Sequence, residues 1–136
     1  MERTDGKTKS FKDLVVWQKA HAFVLNVFQQ VSHFPEENQS FVGNILCESA
    51  TAIATNIVGG YRKKDRDEKL MFLATAQDAL EECRYYIILA NDLGLFDQYQ
   101  ADDLENAIGE VSYLLNSYAK SIQKRKEEEA KSENQY

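Results

Sequence analysis

The stretch FLATAQDALEECRYYIILANDLG, Phe72 to Gly94, places apolar or small residues at Phe72, Leu73, Ala76, Ala79, Leu80, Cys83, Tyr86, Ile87, Ala90 and Leu93. Steps of three and four without a miss are the period of an α-helix with one buried face, whereas a strand would alternate every second residue. Gly94 is placed to end that helix, since glycine adopts the left-handed angles of a helix C-cap. Asp65, followed three residues later by Glu68, reads as its N-cap and capping partner.

Upstream, ESATAIATNIVGGYRKKDRDE, Glu48 to Glu68, connects this helix to another. Glu48 is the only charged residue between Ser40 and Tyr61, and Val42, Ile45, Leu46, Ser49, Ile53 and Ile57 form a seam. The spacing predicts a helix from about Ser40 to Val58, covered on most of its sides. Gly43, Ala50, Ala52 and Ala54 would let neighbouring helices approach closely. Gly59-Gly60 then reads as the stop of that helix, a corner leading into the next. A phosphate-gripping loop would need a pattern such as GxxxxGK[ST] opening a helix after a strand, and this pair follows a helix without that spacing.

From Phe11, two adjacent rows recur at helical spacing. Leu14, Trp17, Val24, Phe28 and Val31 form one, with His21 in its gap; Val16, Ala20, Phe23 and Val27 form the other. This apolar sector is wider than a surface helix needs, and it should stop near Ser32, before Phe34-Pro35. Near the C-terminus, Leu104, Ile108, Val111, Leu115, Tyr118 and Ile122 make a repeat of the coiled-coil type. Four amphipathic helices with short connections predict an all-α fold, an antiparallel up-and-down four-helix bundle. Residues 1–10 are polar and aperiodic and are expected to be disordered. Residues 11–123 form the bundle, and 124–136, which begins KRKEEE, reads as a charged extension that frays.

A chain of 136 residues with one proline and six glycines is one helical domain with a real core. Its net charge of −6 opposes global attraction to nucleic acid or an anionic membrane, so either would require a local basic patch. Cys47 and Cys83 lie in apolar helical patterns without a CxxC or Cys/His partner, which fits free thiols in a reducing cytoplasm. The first ten residues lack the apolar core of a signal peptide, and no run of 18 uninterrupted apolar residues suggests a membrane span.

FKDLVVWQKA at Phe11 to Ala20, SATAIATNIVGGY at Ser49 to Tyr61, and FLATAQDALEECRYYIILANDLGLF at Phe72 to Phe96 resemble the bacterial four-helix-bundle proteins encoded in intervening sequences of 23S rRNA genes. That family is related to the accessory variability determinants of diversity-generating retroelements. The resemblance implies an up-and-down bundle assembled as a ring-like homopentamer. For the retroelement relatives it also implies a basic surface that associates with nucleic acid. Where family members often carry Gln-Ile-Arg-Arg, this chain has Ile45-Leu46-Cys47-Glu48, which removes two positive charges.

Arg62, Lys63, Lys64, Arg66 and Lys69 are the candidate nucleic-acid contacts, interrupted by Asp65, Asp67 and Glu68. A mixed run of this kind is also what a solvated helix entry looks like. Lys120, Lys124, Arg125 and Lys126 would join them if the end of helix 4 shares that pole. Asp92, Asp97, Asp102, Asp103, Glu105 and Glu110 make the opposite pole acidic, which suits the N-terminus of helix 4. Di-iron chemistry in a bundle needs Glu-x-x-His pairs, but His21 and His33 follow Gln18 and Gln30. Glu81 and Glu82 are adjacent and diverge by about 100° on a helix, so they make no catalytic dyad.

These residues read as a non-enzymatic protein with no metal, cofactor or small-molecule substrate, acting through surface interactions as a homo-oligomer. Trp17, Ile45, Ile53 and Ile57 are the candidate interface or core positions. The alternative is an RNA- or DNA-binding accessory protein using the corner between helices 2 and 3.

Overall fold

The computed structural model describes residues 8–134. Among these the chain forms four long helices and no strand: α1, Val15–Val31; α2, Glu36–Tyr61; α3, Arg66–Asp92; and α4, Gln98–Asn134. α1 packs on α2, α2 on α3, α3 on α4, and α4 back on α1. This is the antiparallel bundle that short links between amphipathic helices favour.

One row of α1, Val16, Ala20, Phe23 and Val27, is buried in the core, and so are Leu14 and Val31 at the two ends of the other. The other row lies along the α2 side, where Trp17 and Val24 are half-buried and Phe28 is 51% exposed. Leu46, Ile53 and Ile57 of α2, Leu73, Leu80 and Ile87 of α3, and Leu104, Ile108 and Leu115 of α4 complete the interior. By length and composition α2 could cross a membrane, with a mean hydropathy of 1.3 in its most apolar window. Its apolar seam instead lines the bundle core.

Several helix ends differ from the sequence reading. The disorder expected for residues 1–10 falls partly outside the described residues, but Thr8 to Ser10 are docked. Tyr61 Oη donates to the Thr8 carbonyl at 3.2 Å and lies 3.0 Å from Thr8 Oγ1. Ser10 and Asp13 form a reciprocal capping box around a 3-10 turn, Phe11–Asp13, and Leu14 is extended before α1 begins. Helix 1 is therefore broken where the sequence suggested one continuous helix from Phe11.

α2 starts at Glu36, four residues before the expected Ser40, directly after Pro35 with its helix-compatible φ of −54°. Its polar first turns carry no apolar period, which hides them from a pattern search. Over Gln39–Gly43 the helix widens to π geometry, burying Val42 and Gly43 while Phe41 remains 69% exposed.

Gly59 and Gly60 do not stop α2; both are helical, and the helix runs on to Tyr61. Only Gly94 has positive φ among the described residues, so the pair is not there for left-handed geometry. Size is the reason: a Cβ on Gly59 would meet Phe72 Cε1 at 2.6 Å, and one on Gly60 would meet Phe72 Cβ at 3.0 Å. The glycines let α3 lie close against α2.

α3 has the ends its pattern predicts, although Leu93, counted with the buried face, is 55% exposed at the C-cap and only the Asp65 half of the capping pair is seen. Asp65 accepts from the Glu68 N–H at 3.1 Å, and Gly94, at φ 78°, closes the far end. Gly94 N–H donates to Asn91 O at 3.0 Å and Leu95 N–H to Ala90 O at 2.9 Å, the paired bonds of a Schellman cap.

The charged extension expected to fray after residue 123 is instead the last three turns of α4, which continues to Asn134. It contains only residues compatible with a helix, and it lies along the first turn of α3 through the ion pairs Arg66–Glu129 and Lys126–Asp67.

Candidate interaction surfaces

The end of α2, the start of α3, the start of α1 and the end of α4 meet at one pole. The structure divides the five basic candidates gathered there. Lys69 Nζ donates to the carbonyls of Gly60 at 3.2 Å and Tyr61 at 2.8 Å, which caps the C-terminus of α2. Partial burial, followed by the charges of Arg66 and Arg125, holds the Lys69 pKa below its ordinary value. Arg66 is paired with Glu129, and Lys63 lies over the Phe72 ring, 5.3 Å from its centre.

Arg62 and Lys64 are exposed and have no ion-pair partner among the described residues. From α4, Arg125 comes near enough to bear on Lys69 and Lys126 is paired with Asp67, so the end of that helix reaches this pole as its direction suggested. Sequence reasoning missed Lys9 and Lys12, which the Thr8–Tyr61 contact brings to the same pole. No periodic signal in the first ten residues announces that contact.

The opposite pole gathers Glu36, Glu37, Asp92, Asp97, Asp102 and Asp103, where α1 and α3 end and α2 and α4 begin. No Lys or Arg occurs between residues 20 and 61 or between 85 and 119. Charge is therefore segregated along the bundle axis. Polar ties hold the sides together: Gln100 Nε2 donates to Gln30 Oε1 at 2.8 Å, Asn26 Nδ2 to Asp103 Oδ2 at 3.3 Å, and Lys19 pairs with Glu110 at 3.1 Å.

Of the four candidate interface or core positions, Ile53 and Ile57 are fully buried and belong to the core, while Trp17 and Ile45 are half-buried at its margins. Trp17 stacks on His21 with ring centres 4.9 Å apart and takes the edge of Phe11 at 5.1 Å. His21 thus serves an aromatic cluster at the bundle edge. His33 Nδ1 lies 3.0 Å from the Gln29 carbonyl at the exit of α1.

Between α1 and the outer side of α2 runs an open groove of about 450 Å³ lined by Phe28, Asn44, Cys47, Glu48, Thr51, Ala52 and Thr55. Thr51 donates back to the Cys47 carbonyl at 2.7 Å and Asn56 to that of Ala52 at 2.8 Å, so these polar groups are satisfied within their own helix. Leu25 and Phe41 add to the exposed apolar surface nearby, at 58% and 69%.

Both cysteines are free thiols. Burial raises the Cys47 pKa, and burial pushes Cys83 up to about 12 despite an opposing hydrogen bond with Ser49. Neither thiol is activated as a nucleophile. Among the described residues no three His, Cys, Asp or Glu side chains converge as a metal site would require.

The fold is thus a four-helix bundle with charge segregated along its axis and one open groove on its α1–α2 side. Residues 12–117 match the 23S rRNA-intervening sequence protein family, and the chain belongs to that family. Its fold is similar to the crystal structure of a protein of unknown function from the S23 ribosomal protein family of Bacteroides thetaiotaomicron. The two are 22% identical with a TM-score of 0.73, over 78% of this chain and 96% of that one. Comparison with curated protein sequences gives no match.

Proposed function

We propose that this chain is a non-enzymatic, homo-oligomeric bundle protein that acts through its surfaces in the cytoplasm. The observation that carries this reading is the exposed apolar surface of the α1–α2 side, where Leu25, Phe28 and Phe41 flank a helix face with one charge, Glu48. Large apolar side chains exposed together on one side of a small domain support an interaction site there. The resemblance to the intervening-sequence proteins supports a ring of five. Light scattering at micromolar concentration tests it: a multiple of 15.6 kDa is expected, and a clean monomer overturns the reading.

A second reading has its own support in the exposed Arg62 and Lys64, which have no ion-pair partner among the described residues and share their pole with Arg125. These cations form a modest patch for RNA or DNA, which an oligomer would repeat and so strengthen. The related retroelement accessory proteins favour the same use. Binding to structured RNA at low salt should fall when Arg62 and Lys64 become Ala; unchanged binding removes the assignment.

A further inference from the structure

Large apolar side chains stand exposed on two different sides of the bundle. On the α1–α2 side, Phe28 is 51% exposed at the groove that contains Glu48. On the α3–α4 side, Ile88 is 52% and Tyr113 71% exposed. The second side is located by Gln77, whose Nε2 donates to Asn116 Oδ1 across it at 2.8 Å. Arg84 and Ile88 lie seven and eleven residues beyond Gln77, on the same stripe of α3, and Tyr113 precedes Asn116 by one turn of α4. Because α1 neighbours α2 and α3 neighbours α4, the two sides face opposite ways.

The charges on these sides are complementary. Glu48 is exposed and has no ion-pair partner among the described residues. Arg84 is the only basic residue between Lys69 and Lys120. Its Nη1 lies 3.3 Å from Glu81 Oε1, but its Nε is buried without an acceptor. The Arg84 side chain is 34% exposed, and a guanidinium carries five N–H donors, so its outer edge can take a second carboxylate from a neighbouring copy.

The heights also match. α2 begins and α3 ends at the acidic pole, so a rise of about 1.5 Å per residue puts Glu48 about 18 Å in from Glu36 and Arg84 about 12 Å in from Asp92. The offset is about one helical turn, within reach of two long side chains when copies stand side by side with parallel axes.

The geometry points to a heterologous contact in which the α1–α2 side of one copy receives the α3–α4 side of the next, setting Glu48 against Arg84. This inference rests on the homo-oligomer reading and specifies its interface. Unlike patches repeat around a closed ring or along an open filament, whereas an isologous dimer would use a single patch twice.

Sedimentation velocity on the full chain tests it. Glu48→Arg and Arg84→Glu should each weaken association at least about tenfold, and combining them should restore it to within about threefold. In a second arm, Phe28→Asp blocks one side and Tyr113→Asp the other. Each variant alone should be monomeric with an unchanged far-UV circular dichroism spectrum, and their equimolar mixture should stop at a dimer through the one remaining pair of intact sides. A monomeric wild type overturns the homo-oligomer reading and this interface with it. A wild-type oligomer that ignores Glu48→Arg, Arg84→Glu and Tyr113→Asp overturns the interface alone, as does a mixture of folded single-side variants that stays monomeric.

Discussion

The ring of Phe72 on α3 lies against the backbone of α2 at Gly59, so close that a Cβ there would stand 2.6 Å from Phe72 Cε1. The relationship explains why a helix with little charge ends in two glycines, and it can be tested by a change of sign. Gly59→Ala should lower stability by up to about 2 kcal/mol, as an overpacking cost of about 1–3 kcal/mol outweighs a helix-propensity gain of roughly 1 kcal/mol. In a Phe72→Ala background the same substitution should stabilise by up to about 1 kcal/mol. Urea denaturation of the four proteins measures both, and a stabilising Gly59→Ala in the wild-type background would refute the packing argument.

Gly94 offers the contrasting case, because a Cβ there meets nothing within 4 Å although φ is 78°. Gly94→Ala should cost about 1–2 kcal/mol from the backbone alone, and Gly94→Asn should cost less. Equal losses for the two substitutions in thermal denaturation would contradict a left-handed cap.

Cys83 makes stability depend on alkaline pH. Its thiol pKa rises from 9.0 to about 12 on folding, chiefly by burial, so the folded chain keeps this proton when the unfolded chain releases it. The contribution is fully present below the unfolded pKa and is lost as pH rises from about 9 towards 12, at a slope of at most about 1.4 kcal/mol per unit. Cys83→Ala should flatten that part of the pH–stability curve. An identical slope in the variant would show that other groups control it.

The overhang of α4 should be a lightly held part of the bundle. Arg66 and Glu129 are paired near the surface, with 28% and 61% of their side chains exposed. Arg66→Ala should therefore cost about 0–1 kcal/mol. A chain ending at Gln123 should keep its cooperative transition and lose only the helical signal of the missing turns. Loss of cooperativity would mean that the overhang belongs to the folding unit.

The four helices were legible because their apolar residues repeat within each segment, and the Asp65 and Gly94 caps were legible for the same local reason. Gly59-Gly60 misled because glycine serves both turns and close packing, and the residue that decides between them, Phe72, belongs to another helix. The basic corner misled similarly. A count of charge cannot show that Lys69 faces two carbonyls or that Arg66 faces Glu129, more than sixty residues away. In α1, two apolar rows looked equivalent, and only the positions of α2 and α4 made one the core and left Phe28 exposed.

The absence of lysine and arginine from residues 20–61 and 85–119 has a practical consequence. Trypsin finds no cleavage site in either segment, and among the described residues the lysine amines are confined towards one end of each bundle. An amine-reactive cross-linker of short span can then join two copies only where those ends adjoin. Copies standing side by side in the same direction would be stitched together readily, while copies placed head to foot would resist the reagent however tightly they associate.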